Sequence, residues 1–108
     1  MANLKSLTDA DFESVVSNHK GVAVVDFFAE WCGPCRFLGP IIEKMSTDYA
    51  NTNVQFVKVD VDNARATAGK FNIRAVPTVI IFKDGVEVER MLGAQPETEI
   101  KSRVEKHR

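Results

Sequence analysis

The sequence predicts an α/β protein: a three-layer α/β/α sandwich on a mixed five-stranded sheet flanked by four helices. Three observations carry this expectation. Strand-like runs and helix-like stripes alternate through residues 4–70, which favours parallel strands joined by crossovers. Asp84-Gly85 then stands between two β-rich runs, the signal of a hairpin that adds an antiparallel edge. A length of 108 residues suits one core, so one domain is expected over residues 1–108.

Each element follows from local pattern. Leu4 to Leu7 is a short first strand. Thr8 then reads as an N-cap with Asp11 three positions on, close to a capping box, and Phe12, Val15, Val16 and His19 share one helical face until Gly21 breaks it. Val22 to Ala29 is apolar on both alternating faces, as a central strand covered on each side would be. Leu38, Ile41, Ile42, Met45 and Tyr49 form a second helical stripe, with Pro40 inside it and a kink expected there. Val54 to Val61 is another strand, and Asn63 to Lys70 a short helix that Gly69 helps to end. In the hairpin, Val79 to Phe82 is followed by Val86 to Leu92, whose apolar Val86 and Val88 alternate with charged Glu87 and Glu89 as in an outer strand. Pro96 opens a last helix with acids near its start and Lys106 and Arg108 at its end, both suited to the helix dipole; Ile100 and Val104 form its buried stripe.

Composition excludes several classes. Fourteen Lys+Arg against fifteen Asp+Glu give a net charge of −1, without an electrostatic footprint for nucleic acid or an anionic membrane. The longest apolar run, Val22 to Ala29, is interrupted by Asp26 and falls far short of the roughly 20 residues that a spanning helix needs. Residues 1–11 show no signal-type apolar region, so the cytoplasm is the expected compartment, a processed mature form being the other reading. Two cysteines make neither a multi-bridge framework nor a four-thiolate cluster.

Those two, Cys32 and Cys35, lie where a strand gives way to a helix. Unpaired N–H groups and the helix dipole favour a thiolate there. Pro34 is preset for a first helical turn, and Cys35 lies one turn further on the same side, within reach of a disulfide. A zinc site needs two more ligands; only His19 and His107 exist, without finger spacing, so no metal is expected. Haem attachment needs His after the second cysteine, where Arg36 stands. Two inert buried cysteines are the remaining alternative. Redox chemistry fits best, because motif and strand-to-helix context agree.

Glu30-Trp31-Cys32-Gly33-Pro34-Cys35-Arg36 resembles the active-site signature of the thioredoxin family. The resemblance spans nearly the whole chain: Asp26 precedes the motif, Ile73-Arg-Ala-Val-Pro-Thr78 follows the third helix, Phe82-Lys-Asp-Gly85 forms the hairpin and Gly93 follows the last strand. The chain departs at Phe28, where many members carry Trp, which bears on packing near the site rather than on the chemistry. The resemblance implies the thioredoxin fold and a protein-disulfide reductase and electron carrier recharged by a thioredoxin reductase. It implies Cys32 as the exposed nucleophile, Cys35 as the resolving thiol, no bound cofactor beyond the Cys32–Cys35 pair, and disulfide-containing proteins as substrates. A monomer is the default.

Thiolate exchange supplies the mechanism: Cys32 attacks a substrate sulfur, and Cys35 then displaces the reduced substrate and closes the local disulfide. Gly33-Pro34 places no positive side chain beside the thiolate. A His there would favour the reduced form and make an oxidant. The potentials of thioredoxin and the strong periplasmic oxidase differ by roughly 150 mV, about 10⁵ in equilibrium constant. Two alternatives remain open: an isomerase-like oxidase, and a thioredoxin-fold binding subunit whose function survives loss of both cysteines.

Other residues carry paired readings. Asp26, in an apolar strand, either pairs with Lys58 or, as the resemblance implies, exchanges a proton with Cys35; both can hold, with Lys58 tuning Asp26. Trp31 is a core residue by composition, and a substrate-contacting rim residue by its place beside Cys32 and the resemblance. The resemblance further implies a cis Val76-Pro77 bond facing Cys32, Val76 backbone groups pairing with an extended substrate, and close substrate approach over Gly93, for which an ordinary turn is the alternative. Asp60 and Asp62 read as a solvated acidic strand end, and Arg36 and Arg74 as exposed charges.

Overall fold

The structure, a computed structural model, describes residues 4–108. Strand β1 (Lys5–Leu7) leads to a π-helical segment (Glu13–Ser17), β2 (Val22–Phe28), α1 (Gly33–Asp48), β3 (Gln55–Asp60), α2 (Arg65–Lys70), β4 (Thr78–Lys83), β5 (Val86–Leu92) and α3 (Glu97–His107). The sheet order is β1-β3-β2-β4-β5. The pairs β1–β3 and β3–β2 are parallel; β2–β4 and β4–β5 are antiparallel. This is the mixed five-stranded sheet with helices on both faces that the alternating pattern predicts.

The two-sided apolarity of β2 decides its central place. Val22 and Val24 pack with Leu38, Ile42 and Met45 of α1 and Ile100 and Val104 of α3. Ala23, Val25 and Phe27 pack on the opposite face with Phe12, Val16, Ile80 and Phe82. Phe71 closes that second core, its ring 5.2 Å from Phe12 and 5.3 Å from Phe82, spacings at which offset aromatic rings attract.

Several local expectations need correction. Thr8 does not cap a helix. Its N–H and hydroxyl donate to the Asp11 carboxylate (3.3 and 3.1 Å) while Asp11 N–H donates back to Thr8 O, which closes a separate turn, and the helical segment begins only after Phe12. Gly69 lies inside α2. The stop is Asn72 at φ 59°: Asn72 N–H donates to Gly69 O and Ile73 N–H to Ala68 O, a Schellman closure with Asn in the left-handed position. The start of α2 is held by a distant residue, Asp9, whose carboxylate accepts from Thr67 N–H (2.8 Å), Thr67 Oγ1 (2.7 Å) and Ala66 N–H (3.3 Å).

The hairpin turn is as expected, with Asp84 (φ 51°) and Gly85 (φ 83°) both left-handed, the type I′ requirement. The alternation along β5 is not. Ile81 pairs with Glu89 and Phe82 with Glu87, so Val88 is an extra residue, and the bulge switches parity. Val86 is exposed, whereas Val88 and Met91 face the α1–α3 core. Glu89, expected to point outward, lies against α3, and Glu87 and Arg90 share the other face as a bidentate ion pair.

Candidate active site

The site forms where β2 ends. Ala29 O accepts from Cys32 N–H (3.2 Å), and Cys32 is the extended N-cap of α1. Its Sγ accepts from Cys35 N–H at 3.1 Å, the bond that a capping oxygen would make. A sulfur held there meets an otherwise unpaired donor and the positive end of a 16-residue helix, both of which favour a thiolate. Gly33 and Pro34 fill the first turn, where the N–H that proline lacks has no helical partner to lose. Cys32 and Cys35 are joined as a disulfide with Cα atoms 5.3 Å apart.

One expectation fails on accessibility. Cys32 is 4% exposed and Cys35 5%, so in the disulfide form the first cysteine is no more open than the second. Ala29, Phe28, Val61 and Val76 pack around the pair, and Val76 O lies 3.7 Å from Cys32 Sγ, a plain contact because a disulfide sulfur has no hydrogen to donate. The Val76–Pro77 bond is cis. Thr78 Oγ1 donates to Ala75 O (2.6 Å) and Gly93 N–H to Pro77 O (2.8 Å), which fixes this loop against the end of β5. Gly93 needs its φ of 83°, and a Cβ there would meet nothing within 4 Å, so the space above it is open.

Trp31 is 70% exposed, a rim residue and not part of the core. Its Nε1–H donates to Asp62 Oδ2 (3.0 Å), which fastens the indole beside Cys32. Asp62 and Asp60 are therefore more than a solvated strand end. Asp60 is buried; its carboxylate accepts from Asp62 N–H (2.9 Å) and Asn63 Nδ2 (3.3 Å) and shapes the loop that presents Asp62. The signal was present in Asp60-Val-Asp-Asn63, since Asp readily accepts from the N–H two residues on. Arg36 turns back to donate to Glu30 O (3.1 Å). Gly33, Pro34 and Arg36 thus leave no cation against the sulfurs.

Behind the disulfide, an open cleft of about 450 Å³ is lined by Asp26, Phe28, Cys35, Arg36, Pro40 and Lys58. Asp26 is 2% exposed, and its Oδ1 has no hydrogen-bonding partner among the described residues. Burial pushes its carboxyl up to about 7, with the Lys58 charge pulling the other way. Asp26 and Lys58 are register partners on β2 and β3, as the pairing reading requires, but no ion pair joins them among the described residues. The Lys58 ammonium instead sits 5.4 Å from the centre of the Phe28 ring. The structure thus brings Asp26, Lys58 and Cys35 to one cleft, and Val76 against Cys32 with exposed Trp31 next to it; Pro77, which follows Val76, is buried. No cluster of three His, Cys, Asp or Glu residues with metal-binding geometry occurs among the described residues, and none of the helices described is long and apolar enough to cross a membrane.

The thioredoxin family model matches residues 3–106. The chain belongs to the thioredoxin family. A thioredoxin of Staphylococcus aureus is 42% identical over 101 residues, 94% of either chain. The crystal structure of Fasciola hepatica thioredoxin superposes with a TM-score of 0.87 at 40% identity, covering 98% of this chain and all of that one. Malassezia sympodialis thioredoxin (Mala s 13) gives 0.87 at 36% identity, covering 99% of this chain and 92% of that one. The fold is the thioredoxin fold. The activity is thiol–disulfide oxidoreduction, a disulfide reductase whose redox-active group is the Cys32–Cys35 pair.

Proposed function

We propose that residues 1–108 act as one monomeric domain that carries electrons from a thioredoxin reductase to disulfides in other proteins, with Cys32 attacking and Cys35 resolving. The observation that carries this assignment of roles is the Cys35 N–H aimed at Cys32 Sγ on the helix N-terminus, since it stabilises a thiolate at Cys32 and gives nothing comparable to Cys35. The Cys32 thiolate bonds to one substrate sulfur and expels the other as a thiolate. Cys35 then loses its proton, bonds to Cys32 Sγ and expels the second substrate thiolate. Two electrons pass from the dithiol to the substrate, and the reductase returns them.

Asp26 takes the Cys35 proton across the shared cleft, and a carboxyl poised near 7 suits a base working at neutral pH. Lys58 tunes that carboxylate by its charge. Because Cys32 is covered, the substrate sulfur reaches it only along the rim. Trp31, Val76 and Gly93 form that rim, with buried Pro77 setting the Val76 backbone: an extended substrate segment pairs with the Val76 backbone, crosses the open space over Gly93 and rests on the Trp31 indole.

Reduction of insulin disulfides coupled to a pyridine-nucleotide-dependent reductase tests the proposal. Nucleotide consumption should require both this protein and insulin, and should vanish in Cys32→Ser. A Cys32→Ser/Cys35→Ser protein that retains full biological function would instead identify a binding subunit. A titration against glutathione should give a potential in the thioredoxin range; one as high as that of the isomerases would overturn the direction proposed.

A further inference from the structure

Strand geometry alone would have Lys58 neutralise Asp26. The two are register partners on adjacent parallel strands, and both line the cleft behind Cys35. No direct contact joins them, although the Lys58 charge still acts on the carboxyl: Asp26 Oδ1 has no hydrogen-bonding partner and Lys58 no ion pair among the described residues. Phe28 explains where the ammonium goes. It follows Asp26 by two positions on β2, so both side chains leave the same face of the strand, and its ring lies 5.4 Å from Lys58 Nζ. The negative face of an aromatic ring attracts a cation at this distance, and in a partly desolvated cleft that attraction competes with the Asp26 carboxylate.

We infer that Phe28 is a positioning residue for the reduction: its ring holds the Lys58 ammonium off Asp26 and leaves that carboxylate unpaired beside Cys35. This rests on the reading of Asp26 as the proton acceptor. Burial, unrelieved by an ion pair, keeps the Asp26 carboxyl protonatable near neutral pH. The other charged groups around the cleft are Glu30 from the loop before α1 and Arg36 and Glu43 from α1; Cys35 is held in the disulfide. Arg36 is turned to Glu30 O, so Lys58 is the cation that a change at Phe28 would release toward Asp26.

The test is the Asp26 titration midpoint in the oxidised protein, read from its carboxyl carbon by NMR, in wild type, Phe28→Leu, Lys58→Met and the double variant. Phe28→Trp serves as the conservative variant that keeps a ring for the cation. Phe28→Leu should lower the midpoint by about half a pH unit, and Phe28→Trp should not lower it. In the Lys58→Met background, Phe28→Leu should cause no further fall. An equal fall with and without Lys58 would mean that leucine merely admits water, and would overturn the inference, as would an unchanged midpoint in Phe28→Leu. The pH profile of insulin reduction, taken on the same proteins, should shift with the midpoint. A midpoint that moves in the Lys58-dependent way while the profile stays fixed would preserve the placement of Lys58 and instead refute Asp26 as the acceptor, and with it any role for Phe28 in the reaction.

Discussion

Asp26 on β2 and Glu89 on β5 belong to one sheet and face the same side of it, the side covered by α1 and α3. Among the described residues Asp26 has no hydrogen-bonding partner for Oδ1, and burial pushes its carboxyl up to about 7. Glu89, whose side chain is 13% exposed, is bonded to His107 Nε2 (2.8 Å) and accepts from Arg103 Nη1 (2.9 Å), with Lys106 at 3.5 Å; these partners, His107 foremost, hold its carboxyl below the usual range. Desolvation pushes both carboxyls upward, but Asp26 is the more deeply buried and Glu89 the better partnered, so depth and partners together decide the sign. The β5–α3 flank uses its charges to fasten a helix to the sheet. The cleft end leaves a buried carboxyl oxygen unpartnered among the described residues, where the proposed proton transfer from Cys35 needs a group that changes protonation near neutral pH.

The two regions should therefore respond to pH in opposite ways. Folded Asp26 keeps its proton up to about 7 while the unfolded chain loses it near 3.8, so this group destabilises the fold as pH rises through that interval. Asp26→Asn should gain up to about 4 kcal/mol at pH 8 and almost nothing below pH 4, measured by urea unfolding. The same variant should reduce insulin about tenfold or more slowly at neutral pH, the low end of general acid–base effects. No gain at pH 8 would put Asp26 in a solvated setting; unchanged turnover would leave it a structural role only.

Asp60 sharpens the contrast, because it is as deeply placed as Asp26 yet satisfied. Asp60→Ala strands Asp62 N–H and Asn63 Nδ2 and should cost about 2 kcal/mol by denaturant titration, with reduction impaired only as far as Trp31 loses its anchor. Glu89 comes next. Its stabilisation is present above the unfolded value near 4.5 and is lost as pH falls through the lower folded value. Glu89→Gln should cost about 1 kcal/mol at pH 7 and approach zero in acid. A loss that persists in acid would show that shape, and not charge, holds α3 there. Trp31→Phe removes only the indole bond to Asp62; it should leave stability unchanged and raise KM for a protein disulfide about threefold.

Most of the fold was legible because it rests on periodicity. The double-faced apolarity of Val22 to Phe28 makes β2 central, and Asp84-Gly85 forces the hairpin. What the pattern misplaced depends on single backbone events. The bulge at Val88 sends Glu89 inward, Asn72 does the stopping expected of Gly69, and Thr8 spends its hydrogen bonds on a local turn. None changes the apolar count that a periodicity argument reads. At the site, Cys32 and Cys35 declare themselves through the Cys-Gly-Pro-Cys spacing at a strand end, and Asp26 through its intrusion into an apolar strand. The burial of Cys32 is not written locally, because Val76, more than forty positions away, packs against it. The parting of Lys58 from Asp26 was hidden likewise, since register shows which residues are opposite and not where a long side chain comes to rest.

The central claim is that Cys32 attacks and Cys35 resolves. Cys35→Ser, reduced and then mixed with a disulfide-containing protein, tests it most directly, with products separated without reductant and the linked peptides identified by mass spectrometry. A stable one-to-one adduct joined through Cys32 and released by dithiothreitol is expected, with no comparable adduct from Cys32→Ser. Failure of Cys35→Ser to form it, or an equal yield through Cys35 in Cys32→Ser, would contradict the assignment.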